Sequence, residues 1–228
     1  MLQNIKVAVD AVVFGYSDGQ LYVLLIQQKF NGQEPYWALP GGLVQDDEPL
    51  IDAVKRELQE ETNVTVNYLE QLYTFGDDTA RDSRNRVISV AYFALIDSSK
   101  TDIKADSDAE NVQWFATAEV PRLAFDHNLI LTTALQRLRA KLTYQPVGFD
   151  LLPEYFLFSD LENLYCTILE KEIDRRNFRK KILGFGFVEE TTRVSEEKKG
   201  RPAKYFRFNK HKYNNLTKEG IYFEIKFA

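Results

Sequence analysis

"GGLVQDDEPLIDAVKRELQEETNV", residues 41–64, decides how the rest of the chain is read. It opens on a Gly-Gly breaker and runs into a segment where Leu50, Ile51, Val54 and Leu58 recur at helical spacing. A helix from about Pro49 is expected, since proline suits the first turn, where its missing N–H is not needed. The four apolar residues are its expected buried stripe. Glu57, Glu60 and Glu61 stand three and four apart and share the remaining face. Three carboxylates so close repel one another and raise one another's pKa. A hard divalent cation, Mg²⁺ or Mn²⁺, relieves that conflict, and it can polarise a phosphate or activate a water. Arg56 lies beside the cluster, and Glu48 is placed to pair with it across the loop.

Around this segment the chain alternates strands and helices. "KVAVDAVVFGY" (6–16) and "LYVLLIQQ" (21–28) read as strands joined by the Asp18-Gly19 hairpin signal. "WALPGG" (37–42) ends in a breaker, and further strands are expected near 65–75, 86–97 and 111–115. "HNLILTTALQRLRAKL" (127–142) is a long amphipathic helix. Mixed strands with two helices point to an α/β sandwich rather than a helical bundle.

"TYQPVGFDLLPEY" (143–155) holds two prolines and no clear period, and is read as linking two parts. The expected division is an effector domain over 1–143, a linker over 144–155 and a second domain over 156–228. "FSDLENLYCTILEK" (158–171) reads as a helix with a Ser159/Glu162 capping box. "IDRRNFRKKILGFGF" (173–187) reads as a second helix, capped by Asp174 and stopped near Gly184. Two strands then flank the charged tip "EEKKGRP".

Charge divides the same way. The chain carries −5, but residues 150–228 hold 16 Lys+Arg against 13 Asp+Glu, while residues 1–149 hold 13 against 21. Within 171–212 the count is 14 basic to 6 acidic, which suits a polyanionic partner, whereas the acidic half suits a metal. The apolar share of 44% is enough for a sizeable core. No apolar run approaches the roughly 20 residues of a membrane span, so a soluble, cytoplasmic protein is expected. Cys166 is the only cysteine, which rules out an intrachain disulfide and reads as a buried structural thiol.

The acidic segment resembles the Nudix box, G-x5-E-x7-R-E-U-x-E-E-x-G-U, where U is aliphatic. Gly42, Glu48, Arg56, Glu57, Leu58, Glu60, Glu61 and Val64 match in register. Asn63 stands where the family has glycine, and asparagine tolerates a left-handed backbone better than other side chains. The resemblance implies that Glu57, Glu60 and Glu61 are metal ligands and that Arg56 orients them. It also implies hydrolysis of a nucleoside diphosphate derivative where the box is active.

In the basic half, Arg175, Arg176, Asn177, Arg179 and Lys180 crowd the early turns of a helix that keeps Phe178, Ile182 and Leu183 for its core side. A basic helix preceded by another helix, and followed by a hairpin with Lys198, Lys199, Arg201 and Lys204, fits a winged helix-turn-helix reader of double-stranded DNA. No clear first helix of such a domain is found between Pro146 and Phe158.

The chain as a whole resembles the Nudix-related transcriptional regulators. The similarity rests on the box and on "FGDDTARDSRNRVISVAYFAL" (75–95), "LAFDHNLIL" (123–131), "LRAKLTYQPVGFDLLP" (138–153), "DRRNFRKKIL" (174–183) and "KGRPAKYFRF" (199–208). It implies an α/β Nudix sandwich followed by a small winged helix-turn-helix domain. It further implies a homodimer that binds a DNA operator and senses a sugar such as arabinose or an ADP-ribose-type nucleotide. Control of sugar-utilisation or NAD-metabolism genes goes with that reading. A Mg²⁺-dependent hydrolase of ADP-ribose or a related nucleotide sugar is the alternative, and a protein-binding module is a third. Arg81, Arg84 and Arg86 lie in a polar loop where they could meet a ligand phosphate or simply face solvent. His127 could line the same cleft or serve the start of its helix. Trp37 and Trp114 are expected in the core.

Overall fold

The computed structural model describes residues 4–28, 34–101, 103–104, 109–195, 202–220, 223–225 and 227. The chain divides into two compact units. One comprises Met1–Ser17 and Leu21–Arg137, the other Asp18–Gln20 and Leu138–Ala228.

In the first unit, β1 (Ile5–Ser17) and β6 (Arg86–Ile96) run parallel, in register from Ile5 against Arg86 to Gly15 against Ile96. Both strands are almost continuously apolar, as expected where a parallel pair is covered on both faces. β2 (Gln20–Gln28), β3 (Tyr36–Ala38) and β5 (Tyr68–Phe75) extend the sheet in the order β3-β2-β1-β6-β5. β4 (Gly41–Leu43) pairs with β1, and β7 (Ala109–Ala116) with β2. Asp18 and Gly19 both take positive φ in the β1–β2 turn, as the Asp-Gly signal requires. The expected α/β sandwich is thus present.

α1 (Leu50–Thr62) lays Ala53, Val54 and Leu58 against Val9, Ala11 and Val13 of β1 and against β6. Its stripe differs from the expected one at Ile51, which is 39% exposed. Ala53 takes its place, because the buried face also carries Glu61 and Thr62 and so lies further round the helix. At the C-terminus Asn63 adopts φ 59° and ψ 23°, and its N–H donates to Gln59 O at 3.1 Å. The left-handed cap survives the loss of the family's glycine.

The second unit holds β8 (Tyr155–Leu157), α3 (Phe158–Leu169), α4 (Arg175–Gly184), β9 (Val188–Val194), β10 (Lys204–Phe208) and α5 (Lys210–Glu219). Its antiparallel sheet runs β8-β10-β9. The core is aromatic: Phe149 stacks on Phe208 at 4.2 Å, and Tyr165 meets Phe178 at 4.7 Å. The buried Tyr165 hydroxyl donates to Val147 O at 3.0 Å. The segment expected to be a linker is packed in this core. Val147, Phe149, Leu151 and Leu152 are buried around a short 3-10 turn, and neither that turn nor extended chain has the repeat that would have revealed it.

The first helix missing from the sequence reading is supplied by α2 (His127–Tyr144). From Leu138 onward α2 belongs to the second unit, and Leu142 lies close to Gly148 with Leu164 of α3. Asp174 caps α4 as expected, accepting from Asn177 N–H at 3.0 Å. The cap of α3 is displaced: Asp160, not Ser159, closes that end by accepting from Leu157 N–H at 2.8 Å. Among the described residues no helix is long and apolar enough to cross a membrane.

Candidate functional site

Pairing of β4 with β1 sets Gly41 opposite Asp10 and Gly42 opposite Val9, and so presses the Gly-Gly turn against α1. A Cβ on Gly42 would fall 2.4 Å from Glu57 Oε1, and one on Gly41 2.2 Å from Val9 O. At Gly41 the clash would be with backbone, and only glycine permits that approach; at Gly42 it would be with the end of the Glu57 side chain, which would have to move. Arg56 is the hub of the acidic helix. Its Nε and one terminal nitrogen bind Glu48 at 2.7 and 2.9 Å, and the other terminal nitrogen reaches Glu57 at 2.8 Å and Glu60 at 3.1 Å. The hydrogen bonds from Arg56 hold the Glu48 carboxyl below its usual range.

The three box carboxylates do not share one environment. Glu60 is 51% exposed, whereas Glu61 is only 5% exposed. Glu61 accepts from Gln28 Nε2 and from Gly41 N–H, both at 2.8 Å. Burial pushes its pKa up to about 8; Glu57 and Asp10 add to the rise, while the two hydrogen bonds oppose it. Burial also raises Glu57, despite Arg56. Among the described residues no three His, Cys, Asp or Glu side chains converge as a ready set of metal ligands. The oxygen-only donors and the raised pKa values of Glu57 and Glu61 nonetheless have the chemistry a hard cation relieves.

Next to the carboxylates is a cleft lined by Asp10, Gly42, Arg81, Arg84, Phe125 and His127, among others. Asp10 is buried in the middle of β1. It accepts from Ser89 Oγ, lies 3.4 Å from Arg81 and is 3.4 Å from His127 Nε2. Burial alone would raise its pKa, but His127, Ser89 and Arg81 together bring it below the ordinary value. Arg81 is itself buried and clamps Asp126 through two nitrogens at 2.9 and 2.5 Å. His127 Nδ1 accepts from Leu39 N–H at 2.9 Å, fixing the strand end that leads into the Gly-Gly turn. An unbroken chain of polar contacts therefore runs from Asp126 through Arg81, Asp10 and His127 to Leu39.

Of the loop arginines, Arg81 and Arg84 line this cleft and Arg86 does not. Arg84 is 48% exposed and is held by Asp82 at 2.9 and 2.7 Å. Arg86 instead donates to Gly76 O at 2.7 Å, closing the base of the loop. Sequence reasoning passed over Asp10, Asp82, Asp126 and Phe125. The signal for Asp10 was a lone carboxylate inside an apolar strand; Phe125 carried none. Trp37 and Trp114 serve packing: Trp37 meets Phe115 edge-on at 4.7 Å, and Trp114 lies on the core.

In the second unit, α3 and α4 form the helix-turn-helix, with Glu170 in a left-handed conformation between them. Arg176 and Lys180 are exposed, and among the described residues neither joins an ion pair. Arg175 is drawn back to α3, 3.5 Å from Glu162 and 3.3 Å from Asn163. Arg179 lies over the rings of Phe158 at 4.3 Å and Phe206 at 5.3 Å, so it covers the core as well as facing outward. Lys204 is paired with Glu190 across the wing strands. Lys198, Lys199 and Arg201 lie outside the described residues. Helix α5, which the sequence reading missed, adds Lys212, held by Glu189 at 2.8 Å.

Comparison with known proteins places both units. Residues 4–136 match the family model of the NUDIX domain, and residues 148–208 that of the NrtR DNA-binding winged helix domain. The chain is 36% identical over 210 residues to the ADPR responsive transcriptional repressor NtrR of Acinetobacter baylyi, covering 90% of this chain and 83% of the relative. The crystal structure of Shewanella oneidensis NrtR complexed with a 27mer DNA superposes with a TM-score of 0.81 at 32% identity, over 97% of this chain and 99% of that one. The NUDIX domain of the same NrtR complexed with ADP ribose matches at a TM-score of 0.55 and 37% identity, over 60% of this chain and 90% of that one.

Proposed function

The chain belongs to the Nudix-domain transcriptional regulators with an NrtR-type winged helix, and on that premise we propose that it is an ADP-ribose-responsive, DNA-binding regulator of NAD-metabolism genes. One observation carries the reading. A cleft lined by Arg81, Arg84 and the Gly-Gly turn that packs on Glu57 and Glu61 shares a chain with a helix-turn-helix that keeps Arg176 and Lys180 exposed. Arg84 offers a diphosphate a half-exposed guanidinium already oriented by Asp82. An ADP-ribose-type effector is favoured over a bare sugar by the half-exposed Arg84 guanidinium and by the relatives' own ligand.

On the DNA side, Arg176, Asn177 and Lys180 of α4 are assigned to the operator, with Arg179 partly committed to the core. Lys198, Lys199 and Arg201 are assigned to phosphate contacts of the wing. Helix-turn-helix proteins commonly read paired half-sites as dimers, so a cytoplasmic homodimer is part of the reading. Ligand control requires that ADP-ribose bind the DNA-competent and DNA-incompetent arrangements with different affinity.

Nudix domains generally use divalent metal ions, and in this chain Glu57, Glu60 and Glu61 would hold Mg²⁺ or Mn²⁺. Such an ion would neutralise the carboxylates and polarise a bound diphosphate. The match of Glu48, Arg56 and all three glutamates to the box supports a second reading, Mg²⁺-dependent hydrolysis of ADP-ribose alongside sensing.

The test is fluorescence anisotropy of the chain's own upstream DNA titrated with ADP-ribose, with nucleotide products followed in parallel. Tight binding that ADP-ribose alters supports the regulator. Failure to bind that DNA at modest salt sinks it, and AMP release that Glu60→Gln abolishes establishes the hydrolase.

A further inference from the structure

The stretch that follows α5 lies beyond the matched winged-helix model, which ends at residue 208. Of its described residues, Phe223 and Ile225 are buried, at 3% and 8% exposure, although neither belongs to a helix or strand. Ordering such a chain costs conformational entropy, so what it packs on has to hold it.

The stretch reaches two helices. Ile225 N–H donates to Thr143 O, in the last turn of α2, at 3.3 Å. Phe223 meets Phe185, the C-cap of α4, at 6.1 Å, and the Lys181 ammonium lies 5.7 Å from its ring. Lys181 Nζ also donates to Glu224 O at 2.8 Å, so one of the basic side chains of α4 serves this stretch. Further on, Phe227 bridges to the buried Ile173, one residue ahead of the Asp174 cap of α4. A few residues thus grip the end of α2 and both ends of α4.

The other end of α2 is at the cleft. Its first residue, His127, lines the cleft, and the preceding Asp126 is clamped by Arg81 at 2.9 and 2.5 Å. The helix has 18 residues. At 1.5 Å per residue that is about 27 Å. A rigid helix passes a shift at one end to the other.

We propose that Phe223, Glu224, Ile225 and Phe227 form a clasp that joins α2 to the DNA-reading helix α4, so that a shift at the cleft end of α2 re-aims α4. The inference rests on the regulator reading above and deepens it, because it gives that regulation a path. The clasp acts through α4 and is not itself assigned to ligand or operator.

The experiment compares the full chain with a variant lacking residues 221–228, with Phe223→Ala and with Phe223→Leu. Calorimetric titration gives ADP-ribose affinity. Hydrogen exchange gives the protection of α4 with and without ADP-ribose, and anisotropy gives operator affinity in both states. In wild type ADP-ribose should change α4 protection and shift operator affinity by roughly tenfold or more. The shortened chain and Phe223→Ala should bind ADP-ribose within about twofold of wild type, yet their operator shift should fall to about threefold or less. Their α4 protection should ignore the ligand. Phe223→Leu keeps an apolar side chain against Phe185 and should respond like wild type. A merely structural role would lower Tm and leave the response to ADP-ribose intact.

A response of wild-type size in the folded shortened chain or in Phe223→Ala overturns the clasp, as does a loss of response matched by an equal loss of ADP-ribose affinity. Should the shortened chain not fold, Phe223→Ala decides, and its α4 protection is read without operator. Wild type whose operator affinity and α4 protection both ignore ADP-ribose overturns the regulator reading and the clasp with it.

Discussion

Replacing Glu61 by Gln isolates the charge buried behind the Gly-Gly turn. The side chain is 5% exposed and its pKa stands at about 8, against an ordinary value of 4.5. A rise of that size, at ~1.4 kcal/mol per pKa unit, sets an upper bound of ~5 kcal/mol on what ionising Glu61 costs the fold. Relaxation and water penetration around a buried charge bring the expected span to ~2–3 kcal/mol. The sign follows from proton uptake. Between pH 4.5 and 8 the folded chain keeps this proton and the unfolded chain does not. Stability from this group is therefore fully present below 4.5 and is lost as pH rises through about 8. Glu61→Gln removes the titration, keeps an oxygen for Gly41 N–H, and should be the more stable protein at pH 9 without metal. Urea unfolding followed by tryptophan fluorescence is the assay, since Trp37 and Trp114 both lie in the first unit and report it alone. Saturating Mg²⁺ at pH 8 should stabilise wild type and leave Glu61→Gln almost unmoved; a hundredfold excess over Kd gives ~2.7 kcal/mol. Parallel pH profiles for the two proteins would refute the reasoning.

Further substitutions test the remaining parts. Gly41→Ala drives a Cβ to 2.2 Å from the Val9 backbone oxygen and should destabilise the first unit by ~1–3 kcal/mol in the same urea assay. Asn63→Gly restores the family residue at a position already left-handed at φ 59° and should shift stability by no more than ~0.5 kcal/mol. Arg176→Ala should weaken operator binding and flatten its salt dependence with Tm unchanged. Arg179→Ala should do the same and also lower the stability of the second unit by ~1 kcal/mol, because it uncovers the rings of Phe158 and Phe206.

The acidic helix, the core strands and the helix-turn-helix were all legible in the sequence, because each has its own pattern or cap, whereas the parallel pairing of β1 with β6 was not. Asn63 was legible too: side-chain chemistry alone said a left-handed cap would survive there, and it does. What stayed hidden depended on long-range packing. Ile51 and Ala53 exchange places because β1 and β6 set the rotation of α1, and local spacing cannot. Residues 144–155 looked like a linker because a 3-10 turn and extended chain leave no repeat, although their side chains are buried one by one. The first helix of the winged unit was hidden inside α2, whose apolar pattern runs unbroken past Leu138. Charge type marked the box glutamates and the α4 basics as candidates in the sequence, but not the residues they pair with. That Lys204 is matched by Glu190, or that Arg86 closes a loop at Gly76, follows from strand register and loop closure.

The most direct test of the regulator is a single titration: the chain on its own upstream operator at fixed salt, followed by anisotropy as ADP-ribose is added, with ribose 5-phosphate and arabinose as controls. Specific binding that ADP-ribose releases or tightens at least tenfold, with neither control acting, is the predicted result; an ~1.4 kcal/mol coupling is the smallest that would serve as a switch. An operator affinity indifferent to ADP-ribose would contradict it.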